Sequence, residues 1–86
     1  MELQFFSSTF CEPCMHTRIV LDEVKRLMPE VTIREYDVAN HSQLAEAAGV
    51  RSVPTVVLMG DDNHEKFRAT GEPSVNHVLV AIANAL

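Results

Sequence analysis

The two cysteines of this 86-residue chain are three positions apart, in the segment Cys11-Glu12-Pro13-Cys14. Three residues make nearly one helical turn, which brings two Cα atoms to about 5–6 Å, the separation that a disulfide requires. An apolar segment typical of a strand precedes the pair, and the pattern of an amphipathic helix follows it. We therefore expect the cysteines at a helix N-terminus, where free N–H groups and the helix dipole favour a thiolate over a thiol. These are the requirements of thiol–disulfide exchange.

Composition and charge narrow the class of protein. Apolar residues make up 47% of the chain and charged residues 22%, which is typical of a globular protein with a single domain over residues 1–86. The net charge of −5 and the lack of a basic cluster argue against nucleic-acid binding. No apolar run approaches a membrane span, and residues 1–4 lack the features of an export signal. A close cysteine pair without such a signal predicts a reactive pair in the reducing cytoplasm.

Hydrophobic periodicity and turn residues predict seven elements in the order βαβαββα. Strands are predicted at 3–7, 31–38, 53–59 and 65–70, and helices at 13–28, 42–48 and 74–86. Asn40 and Gln43 resemble a capping box for the short second helix. The two βαβ units predict parallel strands, and the turn at 60–63 predicts an antiparallel pair. The fold class is therefore α/β, a central four-stranded mixed sheet with helices on both faces.

Two motifs about forty residues apart carry a family resemblance. The run Phe10-Cys11-Glu12-Pro13-Cys14 resembles the active-site segment of the thioredoxin superfamily, with Pro13 between the cysteines. The segment Gly49-Val50-Arg51-Ser52-Val53-Pro54-Thr55 resembles the one that holds a cis-proline facing those cysteines, and Gly71 occupies the place of a glycine before the last helix. The resemblance covers nearly the whole chain and implies a thioredoxin-like fold.

The resemblance also implies an activity, with a role for each matching residue. Cys11 would be the nucleophile that attacks a partner disulfide, Cys14 the resolving thiol, and Pro54, in cis, the residue that positions the substrate and excludes a metal ion. The expected docking surface consists of Phe10, Glu12, Pro13, Val53 and Gly71. The implied protein is a monomeric protein-disulfide reductase with no cofactor beyond its redox-active disulfide. Its expected partners are disulfide-bearing proteins and, as electron donor, a flavoenzyme of the thioredoxin-reductase type.

The chain departs from the family pattern at several positions. Phe5 stands where thioredoxins carry a buried acid, Phe10 replaces the usual tryptophan, and the N-terminal strand and helix of full-length thioredoxins are missing. The remaining core has the size of a glutaredoxin, yet Glu72 follows Gly71 where that family has a second glycine, and its carboxylate would repel glutathione. Glu12 either disfavours the Cys11 thiolate, making the protein more reducing, or faces solvent with little effect.

Alternative functions remain open at this stage. One is a glutaredoxin-like enzyme reduced by glutathione, or a dedicated electron donor to ribonucleotide reductase, and another is a non-catalytic binding module with the same fold. A zinc site would need two histidines beside the cysteines, and His16 lies on another helix face. Haem attachment would need a histidine where Met15 stands. The remaining histidines are expected at the surface, Asp37 is expected in a structural role, and the acids of the 60–63 turn are not expected to bind metal.

Overall fold

The computed structural model describes residues 1–86, and its elements follow the predicted order βαβαββα. The strands are β1 (Glu2–Ser7), β2 (Thr32–Asp37), β3 (Thr55–Met59) and β4 (Glu65–Thr70), and the helices are α1 (Glu12–Leu27), α2 (Ser42–Ala47) and α3 (Val75–Ala85). Each element begins and ends within two residues of its predicted bounds. None of the three helices combines the length and the apolar character needed to cross a bilayer.

The four strands form one mixed sheet in the order β2-β1-β3-β4, which confirms the predicted architecture. β1 is parallel to β2, whereas β3 is antiparallel to both of its neighbours, β1 and β4. The prediction that β3 runs parallel to β2 is therefore wrong. The reason is the length of α2, whose six residues span about 9 Å, whereas a six-residue strand spans about 20 Å. The helix cannot carry the chain back to the far end of the sheet, so β3 enters from the end where β2 leaves.

Alternate residues of the central strands build a core on each face of the sheet, as the period of two requires. On one face Leu3 and Phe5 of β1 pack with residues of α1 and α3 in a cluster of 10 buried residues. On the other face Phe6 packs with Val57 and with Ala45 of α2 in a cluster of three. Helices therefore cover both faces, as predicted, but unequally.

The helices begin and end for local reasons. Thr17, Leu21 and Val24 of α1 are buried at helical spacing, and Pro29 follows soon after its last residue. The side chain of Ser74 caps α3 by accepting a hydrogen bond from the His77 N–H at 3.0 Å. The predicted capping box of α2 is wrong, because its N-cap residue is His41 and no side chain caps that helix.

The turn before α2 is instead held by Asp37. Its carbonyl accepts hydrogen bonds from the N–H groups of Asn40 and His41, at 3.1 and 2.9 Å, and its carboxylate accepts one from the Ala39 N–H at 2.8 Å. These three bonds satisfy backbone groups that an uncapped helix entry leaves open. The expected structural role of Asp37 is confirmed.

The two outer strands of the sheet carry charge. β4 includes Glu65, Lys66 and Arg68, and β2 includes Arg34 and Glu35. Arg34 of β2 is ion-paired with Glu2 at 3.0 Å, and Arg68 of β4 is ion-paired with Glu65 at 2.7 Å. The prediction of a polar edge strand over residues 65–70 is confirmed.

Candidate active site

The two cysteines are joined in a disulfide, with their Cα atoms 5.2 Å apart, inside the range that their spacing predicts. Their surroundings differ. Cys14 is 1% exposed and belongs to the larger core cluster, whereas Cys11 is only partly buried and packs against the edge of that cluster. Attack from outside the protein can therefore reach the Cys11 sulfur more easily than the Cys14 sulfur.

Cys11 is the N-cap residue of α1. Its backbone is extended, with φ −109° and ψ 103°, and its sulfur accepts a hydrogen bond from the Cys14 N–H at 3.1 Å. Pro13 stands in the first helical turn, where its missing N–H costs nothing. The positive end of the helix dipole and a backbone N–H are therefore both directed at the Cys11 sulfur, an arrangement that stabilises a thiolate once the disulfide is reduced.

Phe10 lies beside the disulfide in an unusual state. Its φ is +56°, in the left-handed region that bulky residues avoid, and its side chain is fully exposed, at 106% of the reference area. The left-handed conformation costs about 1–2 kcal/mol, and the exposed ring recovers none of it by burial. Asn63, the other non-glycine residue with positive φ, lies in the β3–β4 turn and is of a type that tolerates this conformation.

Pro54 and Gly71 lie on the opposite side of the disulfide region. The Val53–Pro54 peptide bond is cis, Pro54 is buried, and its carbonyl accepts a hydrogen bond from the Gly71 N–H at 2.9 Å. Thr55 fixes the same loop by donating its hydroxyl to the Ser52 carbonyl at 2.8 Å. The N–H and C=O of Val53 make no hydrogen bond within the chain. This loop therefore presents unpaired backbone groups on a fixed frame.

Strand register brings these segments to one end of the sheet. Phe6, near the end of β1, pairs with Thr55 at the start of β3, and Thr55 pairs with Thr70 at the end of β4. The cysteine segment follows β1, the proline precedes β3, and Gly71 follows β4, so all the predicted site residues meet there. His16 and Glu72 connect α1 to the Gly71 loop, with 3.0 Å between Nδ1 and Oε1, and both side chains are about half exposed.

No carboxylate replaces the missing buried acid. Phe5 is 1% exposed, and its partner in the β1–β2 register is Glu35. Arg18 donates two hydrogen bonds to Glu35, at 2.9 and 2.6 Å, and the Ser7 hydroxyl donates a third at 2.8 Å. The Arg18 hydrogen bonds hold the pKa of Glu35 below its ordinary value. Glu35 is therefore ionised and ion-paired at neutral pH, and it does not offer a ready proton acceptor.

Arg51 is a residue of this end that the sequence analysis did not single out. Six of the seven Lys and Arg side chains hydrogen-bond to carboxylates or backbone carbonyls, whereas Arg51 is exposed and has no partner. A signal was present in the sequence, because Arg51 alone among these residues has no acid within four positions. Thr55, which fixes the proline loop through its hydrogen bond to Ser52, has no comparable signal in the sequence.

The other polar clusters offer no second site. His41, His64 and His77 are exposed, as predicted, and Asp62 in the β3–β4 turn is ion-paired with Lys66 at 2.8 Å. No three histidine, cysteine, aspartate or glutamate side chains are grouped as metal ligands would be. The chemistry of this end of the sheet therefore rests on the two sulfurs.

Comparisons with known proteins agree with this geometry. The family model described as thioredoxin matches residues 3–84. A thioredoxin from Methanocaldococcus jannaschii is 34% identical over 87 residues, covering 100% of this chain and 96% of the relative. A thioredoxin from Chlamydia pneumoniae is 33% identical over 66 residues, and that match spans 77% of this chain and 64% of the relative.

Solved structures show the same fold. A mutant thioredoxin from Halobacterium salinarum superposes with a TM-score of 0.88 at 26% identity, covering 98% of this chain and 73% of that one. A malarial protein superposes with a TM-score of 0.90 at 20% identity, covering 99% and 96% of the two chains.

The sheet topology and the paired cysteines at a helix N-terminus define a thiol–disulfide oxidoreductase that uses a redox-active disulfide. The match over almost its full length shows that the chain belongs to the thioredoxin family.

Proposed function

We propose that residues 1–86 act as a single-domain, monomeric cytoplasmic reductase of protein disulfides, with Cys11 as the nucleophile and Cys14 as the resolving thiol. The observation that carries this assignment is the asymmetry between the two sulfurs. Cys11 is accessible and caps the helix, while Cys14 is 1% exposed within the core. A bulky protein disulfide can approach only the first of them.

The reaction has two exchange steps. The Cys11 thiolate attacks one sulfur of the substrate disulfide, forms a mixed disulfide and releases the other substrate sulfur as a thiolate, which takes up a proton. Cys14, as a thiolate, then attacks the Cys11 sulfur, closes the intramolecular disulfide and releases the second substrate thiol. The substrate gains two electrons and two protons, and the two cysteines lose them.

Residues on the proline loop hold the substrate for this exchange. Val53 offers a free N–H and C=O, and an extended polypeptide can pair with such groups as a strand does. Pro54 and Gly71, joined by the 2.9 Å hydrogen bond, form the floor of the docking surface, and Phe10, Glu12 and Pro13 form its other wall. The exposed Phe10 ring supplies apolar area that only a bound partner would bury.

Return to the dithiol form requires a reductant. The proposed donor is a flavoenzyme of the thioredoxin-reductase type rather than glutathione. The carboxylate of Glu72 is about half exposed beside Gly71, so it would meet a glutathione carboxylate with a like charge.

The decisive experiment compares Cys14→Ser with Cys11→Ser in the reduction of insulin. We expect both variants to lose turnover, and only Cys14→Ser to accumulate a mixed disulfide visible by mass spectrometry. If Cys11→Ser traps the substrate instead, the two roles are reversed. If both variants keep the protein's effect on its partners, a non-catalytic binding module is correct.

The reduction potential tests the direction of electron flow. A value of about −270 mV is expected, as for thioredoxin, whereas one between about −120 and −180 mV would indicate an oxidant or isomerase.

Incubation of the oxidised protein with glutathione alone tests the identity of the electron donor. Rapid reduction by glutathione would favour a glutaredoxin-like cycle.

A further inference from the structure

A small groove lies directly beside the proline loop. Its volume is about 240 Å³, and its walls are mostly apolar, with Val38, Val50 and Val53 among the lining residues. Val53 also packs against the core cluster on which Cys11 rests, whereas Val38 and Val50 pack against the smaller cluster on the α2 face. The groove therefore lies on the α2 side of the proline loop, and Val53 is the residue that it shares with the disulfide region. The volume is below the roughly 300 Å³ of small-molecule sites, which suits one side chain of a longer partner.

The polar groups of this groove are unpartnered. Arg51, Ser8 and Ser52 line it, and none of their side chains makes a hydrogen bond or ion pair within the chain. Every other Lys or Arg side chain is hydrogen-bonded to a group of the protein. The groove therefore carries the one Lys or Arg side chain of this chain that has no partner within the protein.

The backbone on both sides of Arg51 is held in place. The Val50 N–H donates to the Ala45 carbonyl at 2.9 Å, and the Ser52 carbonyl accepts from the Thr55 hydroxyl at 2.8 Å. A guanidinium on such a frame loses less freedom when it binds a carboxylate than one on a mobile loop would. Arg51 also lies three residues before Pro54, so a substrate extended along the loop would reach it within about three residues of its reactive cysteine.

We propose that Arg51 and the adjoining groove form a specificity subsite for protein substrates with an apolar residue next to the reactive cysteine and an acidic residue just beyond. This inference rests on the proposed protein-disulfide reductase. The apolar side chain enters between the valines, and the carboxylate pairs with the guanidinium, which matches carboxylate geometry in a bidentate way. Arg51 takes no part in the sulfur chemistry, and its contribution is to substrate choice.

The test uses three synthetic peptides, each closed by one disulfide, with valine beside each cysteine. The next residue outward is Glu, Gln or Lys. The measured quantity is the second-order rate constant for reduction by the wild-type dithiol protein at moderate salt. We expect the Glu peptide to react about two- to fivefold faster than the Gln peptide, the range of an exposed ion pair, and the Lys peptide to react slowest.

Arg51→Gln should abolish the preference between the Glu and Gln peptides while leaving the rate for the Gln peptide unchanged. The matched control is Arg26→Gln, which changes the net charge equally but lies twelve residues beyond Cys14, about 18 Å along α1. That distance exceeds the Debye length of about 8 Å at physiological salt, so this variant should keep the preference.

Each result decides a different point. Equal rates for the Glu and Gln peptides with wild-type protein, or equal losses of preference in both variants, overturn the subsite and leave the reductase intact. Failure of the wild-type protein to reduce any peptide overturns the proposed function and the subsite with it. If Arg51→Gln slows only the reduction of oxidised glutathione, the carboxylate recognised by Arg51 is that of glutathione, and the assignment to protein substrates is wrong.

Discussion

The disulfide region has two sides that share local structural features but differ in the backbone groups that they offer. The cysteine side is residues 10–14 and the proline side is residues 50–54. Each contains one proline, and each is fixed by a buried threonine that donates to a backbone carbonyl at 2.8 Å, Thr17 to Pro13 and Thr55 to Ser52.

The difference between these sides lies in what each backbone offers. On the cysteine side the backbone is the start of a 16-residue helix, and its N–H groups and dipole act on a sulfur. On the proline side the loop has no helix, and the N–H and C=O groups of Val53 have no hydrogen-bond partner within the chain. In the proposed function, the cysteine side provides an electrostatic field for the sulfur chemistry, and the proline side provides shape and hydrogen bonds for substrate recognition. The variants below test this division, beginning with the largest expected effect.

The division of roles is tested most directly at Phe10. This exposed apolar residue lies on the cysteine side, although the proposed function assigns it to substrate binding. In Phe10→Ala we expect kcat/KM for insulin to fall about ten- to hundredfold, since burial of an aromatic ring is worth about 1.5–3 kcal/mol. The reduction of a small disulfide such as cystine should not change. The free energy of unfolding should change little, because the ring is fully exposed and alanine keeps the Cβ atom from which the left-handed strain arises.

The control for this variant is Ile19→Ala, which removes another exposed apolar side chain from α1. It should leave both activities unchanged. Equal losses for insulin and cystine in Phe10→Ala would show that the ring acts on the sulfur chemistry, and the division of roles would then be wrong.

The two buried threonines, Thr17 and Thr55, allow the stability of the two sides to be compared by the same substitution. Thr55→Val should lower the free energy of unfolding by about 1 kcal/mol and raise KM for insulin, because the Ser52 carbonyl has no other hydrogen bond. Thr17→Val should cost less than half as much, because the Pro13 carbonyl lies within α1 and keeps its helical partner. Chemical denaturation measures both effects. Equal losses of stability would contradict this account of the two sides.

Glu35 tests whether an ion pair outside both sides affects stability alone. Arg18 lowers its pKa, so its stabilising contribution is present above the ordinary value of 4.5 and is lost as the pH falls toward the lowered folded-state pKa. Glu35→Gln should reduce the free energy of unfolding by about 0.5–1 kcal/mol at pH 7, after allowance for its partial exposure, and by almost nothing once the pH lies below the lowered folded-state pKa.

The matched control is Glu30→Gln, an exposed glutamate without an ion pair, which should change neither stability nor activity. The activity of Glu35→Gln should equal that of the wild type at pH 7. A loss of turnover without a loss of stability would place Glu35 in the chemistry and contradict the geometry described above.

Glu12 should give the smallest effect. Its exposed carboxylate follows Cys11 directly, so Glu12→Gln should increase the thiolate fraction of Cys11 at neutral pH by up to about twofold, the effect of a weak exposed interaction. Ultraviolet absorbance of the thiolate measures this change. An unchanged titration of Cys11 would mean that solvent screens the carboxylate, and that Glu12 does not set the reducing power of the protein.

The sequence was sufficient for the elements and the cysteine pair, because periodicity, Pro13 and the cysteine spacing are local signals. It was not sufficient for the direction of β3, which depends on how far α2 can carry the chain across the sheet. The capping box of α2 failed because the Asp37 carbonyl and carboxylate satisfy the N–H groups of that turn. The left-handed Phe10 conformation is visible only in the folded chain. The unpaired Arg51 side chain had a local signal, the lack of an acid within four positions, but its place beside the proline loop follows only from the fold.

The charged outer strands have a consequence for the tendency of this protein to aggregate. A molecule that binds extended polypeptides through its backbone runs the risk of joining copies of itself into fibres, because an open strand edge is a template for further strands. Glu65, Lys66 and Arg68 on one edge and Arg34 and Glu35 on the other make such stacking costly. In the proposed function, strand-like pairing is thereby confined to the short stretch around Val53, where each contact ends in the release of a thiol instead of the growth of an aggregate.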